Sequence, residues 1–111
     1  MIVDDDPSLR KYLTHLLQSM HYELAGTAAS SHEAEKMAIE IKPDVIIMDV
    51  VMETRRAGIE AAIKIKEQVN IPIIYLTTDV EEETLAQALA TEPFGYLLKP
   101  IQADNLRAAI E

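Results

Sequence analysis

Cysteine is absent from the 111 residues, glycine occurs only three times, and cations are outnumbered by carboxylates, 10 Lys and Arg against 19 Asp and Glu. Without thiols, neither disulfides nor thiolate metal sites are available, which agrees with a reducing compartment and a cytoplasmic location. With so little glycine, no Gly-rich loop follows the first apolar run, so a backbone cradle for a nucleotide is excluded. The net charge of −9 repels nucleic-acid phosphates and anionic lipid, so neither is expected as a direct partner. No apolar run reaches the roughly 20 residues that cross a bilayer, and no basic-then-apolar leader is visible.

What the chain does have is alternation. Short aliphatic runs, Ile2-Val3, Tyr22–Thr27, Val45–Met48, Ile73–Leu76 and Tyr96–Leu98, are separated by amphipathic stretches. Leu9, Leu13, Leu16, Leu17 and Met20 share one helical face, as do Ala34, Met37, Ala38 and Ile41. Ile59, Ala62, Ile63 and Lys66 follow the same spacing, and so do Leu85, Leu89 and the alanines between them, while Leu106, Ala109 and Ile110 begin a last face. Spacings of three and four indicate helix, and short continuous apolar runs indicate strands covered on both sides. The pattern is βα repeated five times, an α/β, doubly wound, flavodoxin-like fold with a parallel five-stranded sheet. Only YELAGT alternates apolar with polar, which suits an edge strand and the order 2-1-3-4-5. The length suits one domain, residues 1–111, and the close-cut ends suggest a unit excised from a longer protein or one with trimmed tails.

In such a sheet, ligands bind beyond the carboxyl ends of the strands, where the strand order reverses. The first run ends in Asp4 and Asp5, the third in Asp49, the fourth in Thr77 and Thr78, and the fifth in Lys99 and Pro100. Three carboxylates that converge cannot all stay charged without compensation. A hard divalent cation such as Mg²⁺ supplies it, binding one or two carboxylates together with carbonyl, water or phosphate oxygens. A metal, an ammonium and a hydroxyl suit a phosphoryl group, with Asp49 as the nucleophile. Asp6, followed by Pro7, has a different use as the N-cap of the first helix.

The stretches VDDDPSLR, VIIMD, IPIIYLTT and GYLLKP, in that order, resemble the receiver domain of two-component response regulators over essentially the whole chain. The resemblance implies a phosphoacceptor module rather than an enzyme acting on other substrates. Asp49 would accept a phosphoryl group from a sensor histidine kinase or a histidine phosphotransfer domain. Asp4, Asp5, Asp49 and the Val51 carbonyl would hold Mg²⁺, with Asp4 acting largely through water. Thr77 and Lys99 would hold the phosphoryl oxygens, and Tyr96 would follow Thr77 as a switch. The Lys99-Pro100 peptide would be cis. An output surface would lie on the fourth helix, fifth strand and fifth helix, from Glu81 through Ala86, Ala90, Tyr96, Asp104 and Arg107, and could also form a homodimer.

The sequence departs from the family between residues 49 and 62. Many receivers carry D-x-x-M-P and then D-G, whereas here the segment is DVVMETRRAGIEAA. Glu53 replaces the proline, Ala57 precedes Gly58, and Arg55 and Arg56 have no assigned role. Val51 and Asp79 occupy the two positions that tune phosphoryl lifetime in the family. His15, His21 and His32 lack metal-ligand spacing and read as surface or packing residues, Met48 and Met52 as gap-fillers, and Glu81 to Glu83 as an acidic first helical turn. Three other readings compete. An aspartate-nucleophile phosphatase needs a second Asp at position 51, which is Val. A flavin or dinucleotide protein needs the missing glycines. A degenerate receiver would act only through protein contacts. The output domain, the cognate kinase, the oligomeric state and the phosphoryl lifetime are not encoded in these residues.

Overall fold

In the computed structural model, which describes residues 1–54, 56–78 and 82–110, ten elements alternate. They are β1 (Ile2–Val3), α1 (Pro7–Ser19), β2 (Thr27–Ala28), α2 (Ser31–Ile41), β3 (Ile46–Asp49), α3 (Ala57–Gln68), β4 (Ile73–Thr77), α4 (Glu82–Ala90), β5 (Gly95–Leu98) and α5 (Ala103–Ile110). All strand pairs are parallel, in the order β2-β1-β3-β4-β5. Every residue of β3 and β4 is buried, as continuous apolar runs require when helices cover both faces.

The two faces hold separate cores. Ile2, Ile47 and Leu76 pack with Leu13 and Leu17 of α1 and Leu106 of α5. Val3, Met48, Ile73 and Tyr75 pack with Ala34 and Ala38 of α2, Ile59, Ala61, Ala62 and Ile65 of α3, and Ala88 of α4. Burying side chains of this size contributes roughly 1.5–3 kcal/mol each. Small residues, Ala34 and Ala38 of α2 and Ala57, Ala61 and Ala62 of α3, line these helices where they enter the core.

The structure departs from the sequence pattern in four places. The second strand pairs at Thr27–Ala28, not over Tyr22–Thr27, because its ladder runs only along the two residues of β1. In α3 the buried face turns through Ile59, Ala61, Ala62 and Ile65, leaving Ile63 exposed. In α4 the expected alanine Ala88 faces the core while Leu89 is exposed, and Ile41 at the end of α2 is likewise exposed. Alanines and isoleucines of adjacent helical turns compete for the inner face, and close contact with the sheet selects the smaller side chains.

The ends of the helices are closed by identifiable groups. Asp6 is the N-cap of α1 and accepts the Ser8 N–H at 2.9 Å, with Pro7 in the first turn. The first amides of α3 lack a side-chain cap and instead donate to backbone, Ala57 to Thr54 and Gly58 to Val50 at 2.9 Å. At the far end of α4, Lys66 donates to the carbonyls of Thr91 and Glu92, and the Thr91 hydroxyl meets that of Tyr75 at 2.7 Å. A lysine on carbonyls at a helix C-terminus is favourable both as a hydrogen bond and against the helix dipole.

Candidate functional site

The β1 and β3 ladder sets Ile2 beside Ile47 and Val3 beside Met48. The residues that follow, Asp4 and Asp49, therefore leave the sheet side by side at its carboxyl end. Asp4 is fully buried and Asp49 nearly so, while Asp5 is exposed. The three carboxylates offer oxygens that all lie within 4.8 Å of one another. Lys99, entering from the end of β5, donates to Asp4 Oδ2 at 3.1 Å and to Asp49 Oδ2 at 3.2 Å.

The two buried acids are also held from behind. Asp4 Oδ1 accepts the Asp6 N–H at 2.9 Å, and the Arg10 guanidinium donates to the Asp4 carbonyl at 2.6 Å. Asp49 Oδ1 accepts the Val51 N–H at 3.3 Å. Lys99 is positioned through its backbone, whose N–H donates to the Thr77 carbonyl at 2.8 Å. Its peptide bond to Pro100 is cis, and the next carbonyl, that of Ile101, accepts the Tyr12 hydroxyl at 3.0 Å. Thr77 is buried at the end of β4, one residue beyond the Asp49 and Leu76 pair. Val51 is 44% exposed on the loop beyond Asp49.

Tyr96 lies apart from this cluster. It is 45% exposed on the edge strand, and its neighbour but one, Leu98, is 52% exposed. Beside it, under α4, lies a cavity of about 20 Å³ lined by Val50, Tyr75, Thr77, Thr84, Leu85, Ala88 and Tyr96, room for about one water. His15, His21 and His32 are exposed, whereas Met48 and Met52 are buried. Arg55 and Asp79 to Glu81 lie outside the described residues, as do the side chains of Glu82 and Glu83. The sequence gives no sign of the Arg10 contact, and it marks Glu53 as a departure from the family without its partner. Arg10 hydrogen-bonds to a backbone carbonyl, for which residue type gives no signal. Glu53 contacts Ser31, 22 positions away.

Electrostatics expose the cost of this arrangement. Burial pushes the Asp49 carboxyl up to about 6, Asp4 adds to the effect, and Lys99 with the Val51 N–H pulls against it. Burial also works against the Lys99 charge, but Asp49 and Asp4 prevail and hold the amine above its ordinary value. The pocket is thus short of positive charge. Three carboxylates in a compact all-oxygen set match Mg²⁺, which takes oxygen ligands and neutralises them.

The raised Asp49 value has a measurable consequence in the absence of metal. Between the ordinary 3.8 and about 6, the folded chain binds more protons than the unfolded one. Stability therefore falls as pH rises through that window. The displacement corresponds to about 1–3 kcal/mol at neutral pH. Asp49→Asn keeps the shape and removes the charge, so in chelator its Tm should exceed that of the parent by about 5 °C at about pH 8 and lose most of that advantage near pH 4. Thermal melts at the two pH values check this, and a lower Tm for the Asn variant at the higher pH would contradict it.

The whole chain, residues 1–111, matches the family model described as the response regulator receiver domain. The transcriptional regulatory protein PdtaR of Mycobacterium tuberculosis is 36% identical over 111 residues, covering all of this chain and 54% of that protein. The chain thus spans about half the length of this curated relative. Among solved structures, the signal receiver domain of a modulated diguanylate cyclase from Desulfovibrio desulfuricans superposes with a TM-score of 0.91 at 33% identity, over 98% of this chain and 86% of that one. The receiver domain of a sensor histidine kinase from Pseudomonas aeruginosa, which has a magnesium ion coordinated in its active site cleft, gives a TM-score of 0.86 at 26% identity, over 96% of this chain and 88% of that one. A doubly wound sheet with paired acids at its switch point, a lysine reaching them from β5 and a family match from end to end lead to one conclusion: this chain belongs to the receiver domain family of two-component response regulators.

Proposed function

We propose that Asp49 is the phosphoacceptor, and that residues 1–111 act as one receiver unit which takes a phosphoryl group from a phosphohistidine donor and changes an output surface. The observation that carries this reading is Lys99, whose amine binds Asp4 and Asp49 together at 3.1 and 3.2 Å. That geometry makes one aspartyl carboxylate the meeting point of the cation and the acidic pair.

The roles follow from the positions. The Asp49 carboxylate attacks phosphorus, the bond from phosphorus to the donor nitrogen breaks, and the leaving imidazole takes up a proton; an acyl phosphate remains on Asp49. Lys99 keeps Asp49 ionised before transfer and pairs with a phosphoryl oxygen after it. Asp4 and Asp5, with the Asp49 carboxylate and the Val51 carbonyl, would hold Mg²⁺. When bound, the ion neutralises the acids and the charge spread over the transferring oxygens. Thr77, at the end of β4, offers its hydroxyl to the phosphoryl group. Thr84, Leu85 and Ala88 of α4 line the gap beside Tyr96, so inward rotation of the Tyr96 ring presses on α4. The face changed is α4-β5-α5, where Ala86, Ala90, Tyr96, Leu98, Asp104 and Arg107 are exposed. It is the surface for an effector or a second copy.

Partner kinases, homodimer formation and a cytoplasmic site of action come with the family reading. Among the described residues, no helix is long and apolar enough to cross a membrane. Catalysis is limited to the domain's own phosphorylation and dephosphorylation. Incubation with a small phosphodonor tests the reading. Covalent phosphate should accumulate with Mg²⁺ and vanish with chelator or in Asp49→Asn, whereas label that persists in the Asn variant would refute it.

A further inference from the structure

The structure assigns Glu53 a positioning role: its carboxylate, clamped on the first residue of α2, holds the loop that presents the Val51 carbonyl to the metal site. The inference rests on the functional reading above. Both Glu53 oxygens accept the Ser31 N–H at 3.1 Å, and the Ser31 hydroxyl also donates to Oε2. Ser31 directly follows the N-cap Ser30, whose own hydroxyl accepts the Glu33 N–H at 3.2 Å. The first-turn donors of α2 are thus shared between a local cap and a carboxylate from the loop after Asp49.

A carboxylate accepting amides at a helix N-terminus is favoured by charge as well as by hydrogen bonding. A proline at position 53 would stiffen the loop but could accept nothing through its side chain. The loop is anchored at one end by the Val50 N–H on the Leu76 carbonyl and at the other by the Gly58 N–H on the Val50 carbonyl. Between them, Met52 is buried and its N–H turns back to the Thr54 carbonyl at 3.1 Å, while Val51 stands 44% exposed. Glu53 ties this middle portion to a neighbouring helix. Partners behind metal ligands alter metal affinity by about 10–100-fold when removed. An exposed ionic contact that served only α2 would alter stability slightly and metal binding not at all.

The test titrates Mg²⁺ alone into the unsubstituted domain, Glu53→Ala, Glu53→Gln and Ser31→Ala. Affinity is read by calorimetry and by amide NMR shifts at Val51, and melting is followed in metal-free buffer. Glu53→Ala should raise the Mg²⁺ Kd about tenfold while lowering the metal-free Tm only slightly. Glu53→Gln, which keeps an acceptor, and Ser31→Ala, which keeps the amide donor, should fall between. A further variant that combines Glu53→Ala with Ser31→Ala should bind no more weakly than Glu53→Ala alone, because both substitutions remove one contact. A Glu53→Ala domain with unchanged Mg²⁺ affinity and a lowered Tm would overturn the assignment and leave Glu53 a cap for α2. Should Glu53→Ala fail to fold, unchanged affinity in both Glu53→Gln and Ser31→Ala would overturn it equally. Absence of Mg²⁺ binding by the unsubstituted domain would instead bring down the functional reading, and this inference with it.

Discussion

Gly58→Ala should strongly destabilise the domain around its acidic site. A Cβ at position 58 would lie 2.0 Å from the Asp49 carbonyl oxygen and 2.8 Å from the Val50 Cα. Both are backbone atoms of the segment that carries Asp49, so neither can swing aside as a side chain would. The opposing effect is intrinsic helix propensity, which favours Ala over Gly by about 0.5–1 kcal/mol. Overpacking against flexible neighbours costs about 1–3 kcal/mol, and a rigid backbone clash at this distance costs more. The clash therefore wins, taking a large share of a total stability of about 5–15 kcal/mol. Relief requires α3 to withdraw, which breaks the Gly58 to Val50 hydrogen bond and displaces the loop beyond Asp49. Thermal melting should show Tm lowered by about 10 °C or more, together with weaker Mg²⁺ binding in whatever remains folded. An unchanged or raised Tm would mean that α3 does not dock on β3 this closely.

Lys99→Gln should separate two properties that a general loss of structure would move together. Phosphoryl uptake should fall by about 10²–10³-fold, the range for removing one donor aimed at developing charge. Mg²⁺ binding to the free domain should tighten. In the metal-free pocket Lys99 already occupies Asp4 Oδ2 and Asp49 Oδ2, so the amine and the divalent ion compete for the same negative charge. Removing the amine leaves three carboxylates with no compensating side chain among those that contact them here. The metal-free fold should lose stability, because breaking a buried pair from one side strands the partner charge. Calorimetric Mg²⁺ titration beside a phosphorylation time course checks the split. Weaker Mg²⁺ binding in Lys99→Gln would indicate that the lysine orders the site rather than competing for it.

The origin of each feature decides how much of it could be seen in sequence. β3 and β4 were legible because strands covered on both faces must be apolar throughout, and VIIMD and IPIIYLTT are. The acids, Thr77 and Lys99 were legible because the fold gathers whatever follows each strand. β2 was less so. YELAGT alternates like a strand, yet pairing depends on the length of its neighbour, and β1 pairs over only two residues. The buried face of α3 was misjudged at Ile63 because Ala61, Ala62 and Ile65 fit nearer the sheet, a matter of depth rather than periodicity. Neither the Arg10 contact with the Asp4 carbonyl nor the pairing of Glu53 with Ser31 could be read from the sequence. One acceptor is backbone, and the other pairing joins residues that only the finished fold brings together. The departure from the family pattern at Glu53 did mark the position, although not its partner.

The central claim is that one carboxylate, among three within reach of one another, becomes the acyl phosphate. Its most direct test is to phosphorylate the domain with a small phosphodonor and Mg²⁺, trap the acyl phosphate by reduction with borohydride, and locate the reduced residue by peptide mass spectrometry. The result expected is modification at Asp49 and at neither Asp4 nor Asp5. Modification at either of those acids, or at a residue outside the cluster, would contradict the assignment.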